Sequence, residues 1–246
     1  MSEYLFHANA LGVGGAVMFG GRQSDIPSQA ATVLSTGGGR GSARSDGYND
    51  NGVSFSSAET HVAGNEILPG VFQTIAEVQI HNFTVYDQHD FPRLRIGTMY
   101  ARMTSTRNVD LTEPKFELTL NYDGINVDGN FLDAFVNVEL RDAPTFGDVS
   151  SILAVPEGAQ TITGGLVKGF HPPGDRLMLT SQGCELPIPH VGLARFGEFE
   201  FRPGYRRVRM FRLKLQPGGS SGPESLGGDG GFVVAGAVEG NGSPPF

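Results

Sequence analysis

VFQTIAEVQIHNFTVYD (residues 71–87) and RLRIGTMYARMT (residues 93–104) both alternate apolar and polar side chains, the period of a β-strand with one buried face. The five residues between them, QHDFP, are polar and close on Pro92, which a hairpin accommodates and a helix interior does not. The pair predicts the central hairpin of an all-β domain. Both strands change phase partway. Phe72, Ala76, Val78 and Ile80 share one face, whereas Phe83 and Val85 fall on the other; Leu94 and Ile96 give way after Gly97 to Met99, Ala101 and Met103. Such a change predicts a β-bulge, or a strand that passes from one sheet to another.

On the C-terminal side of this pair, residues 116–122 and 132–140 alternate again, with tight-turn signals at Asp123-Gly124 and Asp128-Gly129 between them. Shorter strands are expected at 151–155, 161–168 and 176–180, and long ones at 193–201 and 206–216. Residues 184–190 carry Pro187 and Pro189 and suit only an extended edge or a loop. On the N-terminal side, residues 4–19 read as a strand, a Gly-rich turn and a second strand, and 53–62 as another strand. Between these, 25–36 offers a short helix capped by Ser24 or Asp25, and 37–52 (GGGRGSARSDGYNDNG) a long mobile surface loop. The expectation is one all-β domain over 1–216, an antiparallel sandwich or curved barrel of about ten to twelve strands with long Gly-rich loops. Residues 217–246 read as a Gly-rich linker ending in an apolar strand, FVVAGAV (232–238), which docks on its own sheet or adds to a neighbouring subunit.

Composition agrees with this class. Thirty-six glycines and 15 prolines leave few windows in which a helix can run, and 17 Phe with no Trp make Phe the main core aromatic. A net charge of −8 argues against nucleic acid and anionic membrane as general partners. One cysteine, Cys184, excludes an intramolecular disulfide framework and a multi-cysteine metal site, and its expected role is a small buried apolar residue. The opening residues lack a basic start and a long apolar run, so the default expectation is a cytoplasmic protein, with leaderless export left open.

Candidate chemistry is sparse. His81, Asp87, His89 and Asp90 offer imidazole and carboxylate ligands to a divalent metal, and on that reading His81 and His89 anchor a metal-assisted enzyme. Oxygen-rich loops at 46–52 and 123–129 suit calcium or ordinary turn chemistry equally. Gly37–Gly41 resembles an anion nest but lacks the Lys-Ser/Thr ending of a phosphate loop, and no G-x-S-x-G elbow occurs. Tyr48, Asn49 and Asp50, with the aromatic residues at 83–91, form a possible carbohydrate or small-ligand loop. Arg202, Arg206, Arg207, Arg209, Arg212 and Lys214 gather six of the 18 basic residues in thirteen positions without an acidic one. Simple alternation puts Arg207 and Arg209 on one face and Arg212 and Lys214 on the other. That strand predicts either a salt-bridged sheet face or a surface for another subunit or a polyanion. The functional expectations, in order, are a non-enzymatic protein of interaction or self-assembly (a homo-oligomer or another protein as partner), a carbohydrate or small-ligand module, and the metal-dependent enzyme.

Overall fold

The computed structural model describes residues 4–19, 22–111, 113–172, 178–180, 183–215 and 231–241, a few strand residues among them in backbone only. Eighteen strands and two short helices are present among the described residues, and all strand pairs are antiparallel. They form two packed sheets and no closed barrel, so the fold is a sandwich. In the first sheet the order is β14 (Met178–Thr180), β15 (Gly183–Ile188), β16 (Gly192–Arg202), β17 (Tyr205–Leu215), β18 (Gly231–Asn241), β1 (Ala8–Phe19) and β2 (Arg22–Val33), with β12 (Ile162–Gly165) also on β16. The second runs β13 (Val167–His171), β11 (Asn130–Val136), β10 (Ile125–Val127), β8 (Pro92–Asn108), β7 (Val71–Tyr86), β5 (Val53–Phe55) and β4 (Tyr48–Asp50). Beside these, β9 (Lys115–Asp123) lies on β8, β6 (Ser57–Leu68) on β7, and β3 (Gly39–Ser45) on β6.

The 71–104 hairpin forms as its alternation predicts, but the phase change is neither a bulge nor a change of sheet. The register runs unbroken from His81↔Thr98 to Phe83↔Ile96, so Asn82 stands opposite Gly97. The neighbouring strands keep one register through the same line, which passes through Gly47, Ser56, Asn82, Gly97 and Gly124 on five adjacent strands. Alternate members take positive φ: Gly47 at 111°, Asn82 at 52° and Gly124 at 67°. A left-handed residue turns the peptide over without inserting an extra residue, and the pleat inverts. The first sheet has a matching line, Ala30–Gly12–Gly236–Met210–Gly197, with φ positive at Ala30, Gly236 and Gly197. Each sheet is therefore creased across its strands. The creases lie against each other, since the Tyr122 hydroxyl donates to the Met210 carbonyl at 2.6 Å. At Gly12 a side chain would reach 3.0 Å from the Ala58 Cβ of the facing sheet.

Between the creases sits the expected phenylalanine core. Phe83 meets Phe211 edge-on at 5.2 Å, and Phe196 packs on Phe211, Phe170 and Tyr122 at 5.3, 5.0 and 5.7 Å. Cys184 is buried, and burial, then Glu185, pushes its thiol up to about 11, which leaves it protonated and inert.

Several local expectations are corrected. Residues 25–36 form no helix; they belong mostly to β2, which pairs with β1. Residues 4–19 hold one strand, β1, rather than two. The polar stretch 37–52 is no loop: β3 pairs along β6 and β4 along β5. It lacks apolar periodicity because β3 is an edge strand with little burial on either face. The alternation at 132–140 ends at Val136, and α1 (Val138–Asp142) follows from an Asn137 cap. Residues 151–155 are not a strand; α2 (Phe146–Ile152) starts at Thr145, whose hydroxyl accepts from Asp148 N while its own N–H donates to the Asp148 carboxylate. Residues 184–188 pair on both sides, with β14 and β16. β18 contains FVVAGAV and lies between β17 and β1 in the middle of the first sheet rather than at an edge. The Gly-rich linker at 217–230, and Arg176 and Leu177 of the strand expected at 176–180, lie outside the described residues.

Candidate functional site

The crease decides where the arginines point. Met210 and Phe211 are buried in succession because the pleat inverts there, so Arg207, Arg209, Arg212 and Lys214 all reach the outer face of the first sheet. Simple alternation would divide them between two faces. On the outer face the three arginines pair with glutamates of β16 and β18. Glu198 takes Arg195, Arg209 and Arg212 at 3.2, 3.9 and 3.4 Å, and Glu185 takes Arg195 at 2.5 Å. Glu200 takes Arg202 at 2.5 Å, and Lys214 is engaged as well. This is the salt-bridged face.

Arg206 points the other way. Only 1% exposed, its guanidinium lies between the rings of Phe201 and Phe116, 4.4 and 4.7 Å from their centroids, and Nη2 donates to the Thr145 carbonyl at 3.0 Å. Its Nη1 has no partner among the described residues. Burial brings its pKa down to about 10, against the pull of Asp148 and Glu113. It ties β17 to the start of α2 and is no surface group.

Glu239 is the most tightly held carboxylate here. Arg207 Nε and the Tyr205 hydroxyl donate to it at 2.6 and 2.9 Å, His7 lies at 3.3 Å, and Asn9 also donates. Burial alone would raise its pKa; the bonds from His7, Arg207, Asn9 and Tyr205 outweigh burial and hold it well below the ordinary value of 4.5. A depressed carboxylate stabilises the fold above its unfolded pKa and loses that contribution as pH falls towards the folded value. Glu239→Gln is therefore expected to lower the melting temperature at pH 7, and the gap to wild type to begin closing as pH falls below about 4, where an unfolded carboxylate protonates. Parallel melting curves from pH 7 to pH 3 would contradict this.

The four candidate metal ligands do not converge. His81 sits within β7, its ring against the Thr98 hydroxyl at 3.3 Å. Asp87 is taken up by its own turn: the amides of His89 and Phe91 donate to it at 2.8 and 3.1 Å, and Arg93 Nε at 2.8 Å. His89 and Asp90 are exposed at the hairpin tip. Among the described residues no three His, Cys, Asp or Glu side chains are grouped as a metal requires. The oxygen-rich loops are likewise used locally, Asp50 by Asn51 N, Asn126 by Gly129 N and Asp128 by Arg93.

A groove of about 820 Å³ runs along the outer face of the second sheet, beside the crease. Its floor includes Gly97 and Gly124, where no side chain stands above the backbone. Tyr86, Pro92 and Phe131 give it apolar surface, and Phe131 is 72% exposed. The register sets Asn49, Ser54, Thr84, Arg95, Asn126 and Phe131 side by side across six strands. Of the predicted ligand loop only Asn49 joins this row. Tyr48 stacks inward on Phe55 at 5.8 Å, and Asp50 closes its turn. Arg95 and Phe131 escaped sequence reading, and Asn126 was read only as part of an oxygen-rich turn, because a row across strands leaves no spacing pattern along the chain.

Among the described residues no helix is long and apolar enough to cross a membrane. No curated protein and no solved structure matches the chain. A family profile described as a domain of unknown function (DUF8256) matches residues 4–150, which carry the creased hairpin and the whole polar row. The match spans more than half of the chain, and the chain belongs to that family.

Proposed function

We propose that the chain is a non-catalytic β-sandwich module that binds a saccharide along the creased outer face of its second sheet. The groove carries this reading. It combines a glycine floor, an exposed aromatic ring and a row of hydroxyl, amide and guanidinium groups. Aromatic rings cover the C–H faces of a pyranose, while few, fixed polar groups read its hydroxyls. The features that suggested assembly are used inside the fold: the arginine strand is matched by glutamates, and the apolar tail strand fills the first sheet.

The test is retention on a panel of immobilised neutral and acidic hexasaccharides. Wild type is expected to be retained by at least one. Phe131→Ala is expected to weaken that binding about tenfold, the effect of a modest hot spot, with unchanged melting because Phe131 is exposed. No retention on any member, or retention indifferent to Phe131→Ala, would remove the proposal.

A further inference from the structure

Building on the saccharide reading, we infer that the bound sugar carries a carboxylate and that Arg95 is the residue that reads it. Among the arginines whose side chains are described, only Arg95 and Arg40 have no ion pair or hydrogen bond to a described residue. Arg40 lies on β3, which pairs on one side only, with β6. Arg95 lies in mid-sheet, with Thr84 on one flank and Asn126 on the other, in a groove lined by no acidic side chain.

No described carboxylate makes an ion pair with it. Asp87 and Asp128, at the same end of the hairpin, are both paired with Arg93. Asp133 lies two residues beyond Phe131 on β11, across from Gly124, and borders the far end of the floor. An anionic group is therefore repelled from the Gly124 end and drawn to Arg95. The guanidinium is a planar fork that binds a carboxylate through two parallel N–H···O bonds. Amides and hydroxyls beside it supply neutral contacts to the same sugar. In a chain of net charge −8 that pairs nearly every other described arginine, an unpaired one in the middle of a concave face has a specific use.

The probes are hexagalacturonate and its fully methyl-esterified form, which share length, linkage and hydroxyl pattern and differ in charge. The free acid is expected to bind about ten- to a hundredfold more tightly than the ester, the range for one charged bidentate contact. Arg95→Gln should remove that difference without changing the melting curve, since the side chain is exposed, and Arg95→Lys should keep part of it. Raising ionic strength should weaken the acid and leave the ester unmoved. Equal binding of acid and ester overturns the role of Arg95, as does acid binding indifferent to Arg95→Gln, while the saccharide reading stands. Retention of a neutral hexasaccharide alone likewise overturns the role of Arg95 and spares the saccharide reading. If no oligosaccharide is retained, both fall together.

Discussion

Deleting residues 217–246 is expected to abolish folding rather than to trim an appendage. β18 pairs residue by residue with β1 on one side and β17 on the other, and Val233, Ala235 and Val238 are fully buried. Burying a valine is worth roughly 1.5–3 kcal/mol, against a total stability of about 5–15 kcal/mol for a domain. The deletion also leaves facing N–H and C=O groups of two interior strands without partners. The truncated chain should lose its β-sheet circular dichroism and collect in the insoluble fraction. A peptide of residues 231–241 added during refolding should recover part of the signal, because the vacated slot has a defined register. A truncated protein that melts where the full chain does would show that the slot is dispensable.

Two substitutions of Arg206 are expected to part company by several kcal/mol. Arg206→Ala leaves a cavity between Phe116 and Phe201 and frees the Thr145 carbonyl, at a cost of about 2–5 kcal/mol. Arg206→Met keeps the volume and removes a cation that no carboxylate touches, so its effect should lie within about 1 kcal/mol of wild type or stabilise. Urea denaturation midpoints separate the two. If methionine were as harmful as alanine, the guanidinium itself would be required, through its rings or its bond to Thr145.

The all-β class, the central hairpin and the phenylalanine core were legible because each rests on one buried face per strand. Where that condition fails, so does the reading. β3 exposes glycine, serine and arginine along an edge, and nothing in its sequence separates it from a loop. The stretch 132–140 alternates in composition, yet Val138 is exposed and begins a helix of five residues, too short to show a period. Both strands of the hairpin display their phase change, but its cause lies in partners far along the chain. A line of left-handed residues at Gly47, Asn82 and Gly124 exists only once the register is known. For the same reason alternation alone splits the arginine strand over two faces. The groove was partly visible as an aromatic neighbourhood near Tyr86; Arg95 and Phe131 required the pairing of β8, β10 and β11.

The place of β18 also sets a timetable. His7 and Glu239, which meet across the β1–β18 pair, are 232 residues apart in the chain. During synthesis β1 and β2 precede β18, so β1 has no second neighbour until β18 leaves the ribosome. The half of the first sheet built from β14 to β17 waits for the same strand. Contacts this distant in sequence make for slow folding and a long interval in which apolar strand edges stand open. Those edges stay open until β18 arrives.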